Sequence, residues 1–119
     1  MPNPHLDSAV LSTLQDVMEA EYPVLLDTFL VDSEQRVRLL GQACRSAEAD
    51  ALRQAAHSFK GSCSNMGALE LAALCQALEE CAQQQALGDA AALIEAIERE
   101  FAIVGILLRA ERQRFGTNS

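Results

Sequence analysis

His57, Lys60 and Gly61 fall within little more than one helical turn of the run from Ala49 to Gly67, and together they could carry chemistry. An imidazole is a nucleophile, and a free one, with a pKa of about 6.5, is largely neutral near pH 7 and requires no activating base. Lys60 at i+3 and Gly61 at i+4 lie on the same side of a helix as His57. A neighbouring ammonium gives a merely titrating histidine no benefit, whereas phosphate oxygens arriving at an imidazole need a cation. Glycine inside a helix costs about 1 kcal/mol relative to alanine. On an exposed face that cost wants a reason, and close approach of another body to His57 is one. Ser64, two turns beyond His57 on that face, either donates to a phosphate or caps local backbone.

The orientation of His57 follows from helical periodicity. Leu52, Ala56, Phe59, Cys63 and Met66 cluster on one side and form the core stripe. His57 stands roughly 140° from the centre of that stripe, so it points to solvent and is not a packed core histidine.

The elements that must position it are all helical. Periodicity gives five segments, with nothing strand-like and no internal repeat. The first spans about Ser8 to Ala20, with Leu11, Leu14 and Met18 on one side. The second runs from Pro23, suited to a first turn, to Arg45, with Leu26, Phe29, Ser33, Val37, Leu40 and Cys44 as its stripe. After the link Ser46 to Glu48 the third extends from Ala49 to Met66, and Gly67 is the left-handed residue expected to close it. The fourth begins near Ala68 and turns Leu71, Leu74, Leu78 and Cys81 inward, making an antiparallel hairpin with the third. Gly88 is expected to close it, and Asp89 to cap a fifth helix that reaches Arg112 with Ile94, Ile97, Phe101, Val104 and Leu108 inward. This pattern predicts an all-α, antiparallel four-helix bundle with an additional short N-terminal helix, in a single domain spanning residues 1–119 with frayed ends at about 1–6 and 115–119. Ile103, Ile106 and Leu107 give the fifth helix a second apolar side, across which the first helix is expected to lie.

Composition narrows the partners. Nine Lys and Arg against seventeen Asp and Glu give a formal net charge of −8, which disfavours nucleic acid and anionic membrane surfaces. The longest uncharged apolar run, Phe101 to Leu108, is far short of the roughly 20 residues of a spanning helix. Met1 to Asp7 shows no secretory pattern, so a cytoplasmic location is expected. The four cysteines include no CxxC pair and recur among Leu and Ala, which predicts reduced core thiols. No phosphate loop of the GxxxxGK[ST] type is present.

The twelve contiguous positions from His57 to Ala68, His-Ser-Phe-Lys-Gly-Ser-Cys-Ser-Asn-Met-Gly-Ala, resemble the signature of histidine-phosphotransfer domains: His, any residue, an apolar residue, Lys-Gly, small residues, then an apolar-Gly-Ala turn. The stretch Leu74-Cys-Gln-Ala-Leu-Glu-Glu80 is also similar to that family. The resemblance implies that His57 is the phosphoacceptor, that Lys60 contacts the phosphoryl group and that Gly61 leaves room for a receiver domain. A polar residue of the fourth helix faces the histidine in some members; Glu79 occupies that position, although an anion is a less obvious phosphate partner and an ordinary solvated face is the alternative. It further implies a phosphorelay intermediate without ATP-dependent kinase activity, whose partners are receiver domains of hybrid sensor histidine kinases and of response regulators. The chain is then expected to be a monomer with no cofactor of its own, Mg²⁺ belonging to the partner receiver. Two competing readings are a helical adaptor, in which His57 is incidental, and a metal-binding bundle, which would want a Glu at i−3 from His57 where Gln54 stands.

Overall fold

The computed structural model describes residues 3–116. Helix α1 spans Ser8–Met18, and a single 3₁₀ turn, Glu19–Glu21, leads into α2, Tyr22–Arg45. Helices α3, Ala49–Asn65, α4, Leu69–Gln83, and α5, Leu87–Gln113, complete the chain. Helices α2 to α5 pack in cyclic order, each against its sequence neighbours, with α5 returning to α2. This is the expected antiparallel four-helix bundle with a short accessory helix.

The stripes read from the sequence form one contiguous core. Leu52, Ala56, Phe59, Cys63 and Met66 of α3 and its closing turn are all buried, facing Leu71, Cys75 and Leu78 of α4 and Ile94, Ile97, Val104 and Leu108 of α5. All four cysteines are free, with Cys63, Cys75 and Cys81 buried. The thiol contact with Cys75, and then burial, push the Cys63 thiol upward, so it stays protonated.

Three links are closed by the same backbone device. At the end of α3, Gly67 is left-handed at φ 76°, and Ala68 N–H donates to Cys63 O at 2.9 Å while Gly67 N–H donates to Ser64 O at 3.1 Å. These are the paired bonds of a Schellman close, which satisfies carbonyls that the helix end would otherwise leave orphaned. Ala47 closes α2 in the same way at φ 54°, and Gln85 closes α4 at φ 58°. The link between α4 and α5 therefore differs from the expectation built on Gly88. Gly88 and Asp89 lie inside the first turn of α5, whose cap residue is Ala86. The backbone bonds at Gln85, with Cys81 Sγ donating to Ala86 O at 2.8 Å, fix the turn earlier and let α5 start in time to bury Ala90.

The chain ends are also better packed than expected. Leu6 is buried, and His5 Nδ1 lies 2.6 Å from Glu100 Oε2, which gives that buried carboxylate a partner. Asp7 caps α1 through Ala9 N–H and donates its own N–H to Gly67 O at 2.8 Å, tying the N-terminal segment to the α3–α4 turn. The segment borders Leu107 and Ala110 through Leu6 and Leu11, but Ile103 and Ile106 remain 39% and 66% exposed, so α1 does not cover the second apolar side of α5. At the other end Phe115 is not frayed: it stacks edge-to-face on Tyr22, with ring centroids 5.3 Å apart. The Tyr22 hydroxyl donates to Glu111 Oε2 at 2.7 Å, and burial, reinforced by that carboxylate, raises its ionisation well above the ordinary phenol range. Residues 1–2 and 117–119, also within the ends expected to fray, lie outside the described residues.

Two of these left-handed positions make opposite predictions. A Cβ on Gly67 would meet Val10 Cβ at 3.0 Å and Asp7 O at 3.2 Å, whereas Gln85 already bears a side chain at positive φ. Gln85→Gly is expected to stabilise the protein by about 1 kcal/mol, and Gly67→Ala to destabilise it by at least about 1 kcal/mol. Urea denaturation of both variants checks this; equal effects of the same sign would contradict the assignment.

Candidate functional site

His57 stands on the outer face of α3 with its side chain 64% exposed, because α3 turns its apolar stripe inward and carries only small or polar residues on the opposite side. Gln54, Ser58, Gly61, Ser64 and Asn65 are the exposed residues around it. A Cβ placed on Gly61 would meet nothing within 4 Å. The missing side chain is therefore not required by the packing of this chain, and the face at Gly61 is open to an approaching body. Ser64 is exposed, and its carbonyl accepts the Gly67 N–H at 3.1 Å, so its backbone takes part in closing the helix.

Glu79 comes from α4 to meet this face. It is not the freely solvated residue that its charge suggested: its side chain is 16% exposed, with Oε2 2.9 Å from His57 Nδ1 and Oε1 2.8 Å from Lys60 Nζ. One carboxylate thus bridges the two residues that the sequence places on adjacent turns. The hydrogen bond from Lys60, chiefly, holds the Glu79 carboxyl below the usual carboxylate range; burial opposes it, and the contact with His57 adds to the lowering. An ionised carboxylate only accepts hydrogen bonds, so in the neutral imidazole the proton sits on Nδ1 and the lone pair on Nε2. The nitrogen farther from the backbone is thereby the one that carries the lone pair, on a side chain that is mostly exposed.

Lys60 is less free than its sequence position implies. Its ammonium also donates to Gln76 Oε1 at 2.7 Å, and Gln76 Nε2 donates to Glu80 Oε1 at 2.8 Å. The lysine is held against α4 by both contacts. Gln76 was missed by sequence reasoning; its i, i+3 spacing from Glu79 was the available signal. Arg36 was missed as well. It reaches from α2, and its Nη1 donates to Ser58 Oγ at 2.6 Å, a contact set by how α2 packs on α3 and invisible in either helix alone.

Among the described residues no group of three or more His, Cys, Asp or Glu converges as metal ligands would, and no helix is long and apolar enough to cross a membrane.

This geometry can be set beside known proteins. The Hpt domain family matches residues 24–111, a span that contains His57, Lys60, Gly61, Ser64 and Glu79. The crystal structure of histidine-containing phosphotransfer protein B (HptB) from Pseudomonas aeruginosa PAO1 is similar, with 61% sequence identity over 93% of this chain and 96% of that one, and a TM-score of 0.92. Comparison with curated proteins gives no match. The exposed histidine, the glycine that opens its face and the bundle that presents them thus agree with the family match over most of the chain, and the chain belongs to the Hpt domain family.

Proposed function

We propose that this protein is a phosphorelay intermediate: His57 accepts a phosphoryl group from the receiver-domain aspartate of a hybrid sensor kinase and passes it to the receiver of a response regulator. The observation that carries the reading is the contact between Glu79 and His57 Nδ1 at 2.9 Å, which fixes the ring and leaves the Nε2 lone pair aimed at solvent. The family membership and the likeness to a histidine-containing phosphotransfer protein support it. An adaptor that used this surface only for binding would have no need of an imidazole oriented by a carboxylate.

In the forward step Nε2 attacks the phosphorus of the partner's acyl phosphate in line. The P–N bond forms as the P–O bond breaks, and the aspartate carboxylate leaves with the electron pair. The Nδ1 proton stays in the hydrogen bond to Glu79, which offsets the positive charge that develops on the ring. Reversal discharges the group to a second receiver by the same bonds in the opposite order. Lys60, already 2.8 Å from Glu79, moves the short distance to the phosphoryl oxygens, a charge-assisted contact stronger than its bond to Gln76. Mg²⁺ and most of the stabilisation of the transferring group belong to the partner's site, so this chain needs no cofactor of its own and has no ATP-dependent kinase activity. It acts as a monomer with the α3 face uncovered.

The direct test charges a receiver domain on its aspartate and follows label onto the protein and its His57→Gln variant. Acid-labile label on the wild type and none on the variant is the expected result; label retained by His57→Gln would overturn the assignment. Gly61 separates fold from access. Gly61→Ala is expected to raise stability by about 1 kcal/mol, since alanine is the better helix former, while Gly61→Trp slows transfer roughly 100-fold without unfolding the bundle. Normal transfer in a folded Gly61→Trp protein would remove the access argument. Glu79 gives a pH dependence. Its folded-state pKa is depressed, so its contribution to stability is present above the ordinary value of about 4.3 and is lost as pH falls below it. The stability gap between wild type and Glu79→Gln, from urea titrations, should therefore shrink below about pH 4; a gap that widened in acid would contradict the clamp.

A further inference from the structure

We infer that Arg36 is a positioning residue for phosphoryl transfer: its guanidinium, held beside His57 by Ser58, engages the anionic oxygens around the phosphoryl group of the docking receiver. The inference rests on the reading of His57 as the acceptor. Its basis is the chemistry of cations around the α3 face. Lys60 is bound to Glu79 at 2.8 Å, and Arg53 to Asp50 at 3.0 Å, so both charges are cancelled locally. Arg36 differs. Its hydrogen bond of 2.6 Å goes to the neutral hydroxyl of Ser58, and among the described residues no carboxylate makes an ion pair with it, although Asp32 borders the same shallow recess on α2. The charge is therefore held in place without being neutralised, and one serine contact leaves most of the five guanidinium donors unused.

Position and partner chemistry fit. Ser58 follows His57 directly and lies on the part of the α3 face turned toward α2, whereas Glu79 and Lys60 approach from α4. Arg36 thus flanks the histidine on the side opposite Lys60. The incoming body carries an acyl phosphate and a Mg²⁺ ion, and Mg²⁺ is held by carboxylate and phosphate oxygens, so its contact surface is rich in anionic oxygen. This chain has a formal net charge of −8 and would repel such a surface. An uncancelled guanidinium at the rim of the contact offsets that repulsion where the two sites meet, and its planar fork suits carboxylate or phosphate oxygens better than an ammonium does. A rim charge of this kind acts mainly on encounter and register.

The test uses the full chain, with Arg36→Met to keep the apolar stem and Arg36→Lys to keep a charge, and a receiver domain charged with acetyl phosphate. Initial rates of label transfer to His57 are measured against receiver concentration and salt, with thermal unfolding as the fold control. Arg36→Met is expected to raise KM about tenfold at low salt with kcat within about twofold of wild type, and to make kcat/KM rise more steeply with salt as the unopposed repulsion is screened. Arg36→Lys should recover the salt dependence and part of the KM. Wild-type KM and salt dependence in a folded Arg36→Met protein overturn the inference while leaving His57 as acceptor. A fall in kcat alone, with KM and salt response unchanged, also overturns it. Absence of label on the wild type defeats the reading of the site itself, and the inference with it.

Discussion

The register of helix α3 against α4 is the constraint on which the site depends. His57 and Glu79 lie eleven residues either side of Ala68, and Lys60 and Gln76 lie eight either side, so the two observed contacts are rungs of one hairpin. The rungs meet because the left-handed Gly67 reverses the chain over a link of only three residues between Asn65 and Leu69. One residue more or fewer in that link would rotate α4 by about 100° relative to α3 and carry Glu79 away from the imidazole. The same turn accepts the N–H of Asp7, so the accessory segment is anchored at the point that sets the register. Burial of Cys63, Met66, Leu71 and Cys75 around it keeps the two helices from sliding.

A carboxylate opposite the histidine looks out of place in a site proposed to receive phosphate. The geometry resolves this. Glu79 touches Nδ1, on the far side of the ring from the nitrogen left open, and its second oxygen is taken up by Lys60. The negative charge is spent on the two cationic or proton-bearing groups, while the positive end of the imidazole is supported whenever charge develops there. Lys60 also keeps the Glu79 carboxyl ionised, which is what gives the ring a defined tautomer.

Much of this was legible in the sequence, and the reasons differ by feature. The stripes of α3, α4 and α5 could be read because each helix buries one face, and a 3.6-residue period survives in the one-dimensional pattern. Gly67 was legible because its left-handed residue is a glycine at the end of a stripe. Gln85 was not, since the same conformation there is taken by a residue with no glycine signature, and Gly88 drew attention three residues too late. Glu79 could be placed opposite His57 by family resemblance, but its bridging contact depends on side-chain reach between helices. Arg36 and the pairing of His5 with Glu100 depend on how elements distant in sequence pack, and no local pattern records that. The second apolar side of α5 was read correctly as apolar, yet its cover was inferred from need alone, and Ile106 stays exposed.

The Nε2 nitrogen of His57 sits on a convex helix, not in a cleft. A convex site cannot exclude water, enclose a metal or surround a transferring group with donors, and those are the means by which most active sites lower barriers. What it can do is offer one oriented nucleophile, with few side chains in the way, to any partner whose own site is concave. The small and polar residues around His57, the empty space beyond Gly61 and the hairpin beneath them fit that use, which is the one proposed above. Under the proposed function, selectivity among partners then has to come from groups at the rim of the α3 face, where α2 and α4 meet it, because the centre of the face has little side chain with which to discriminate.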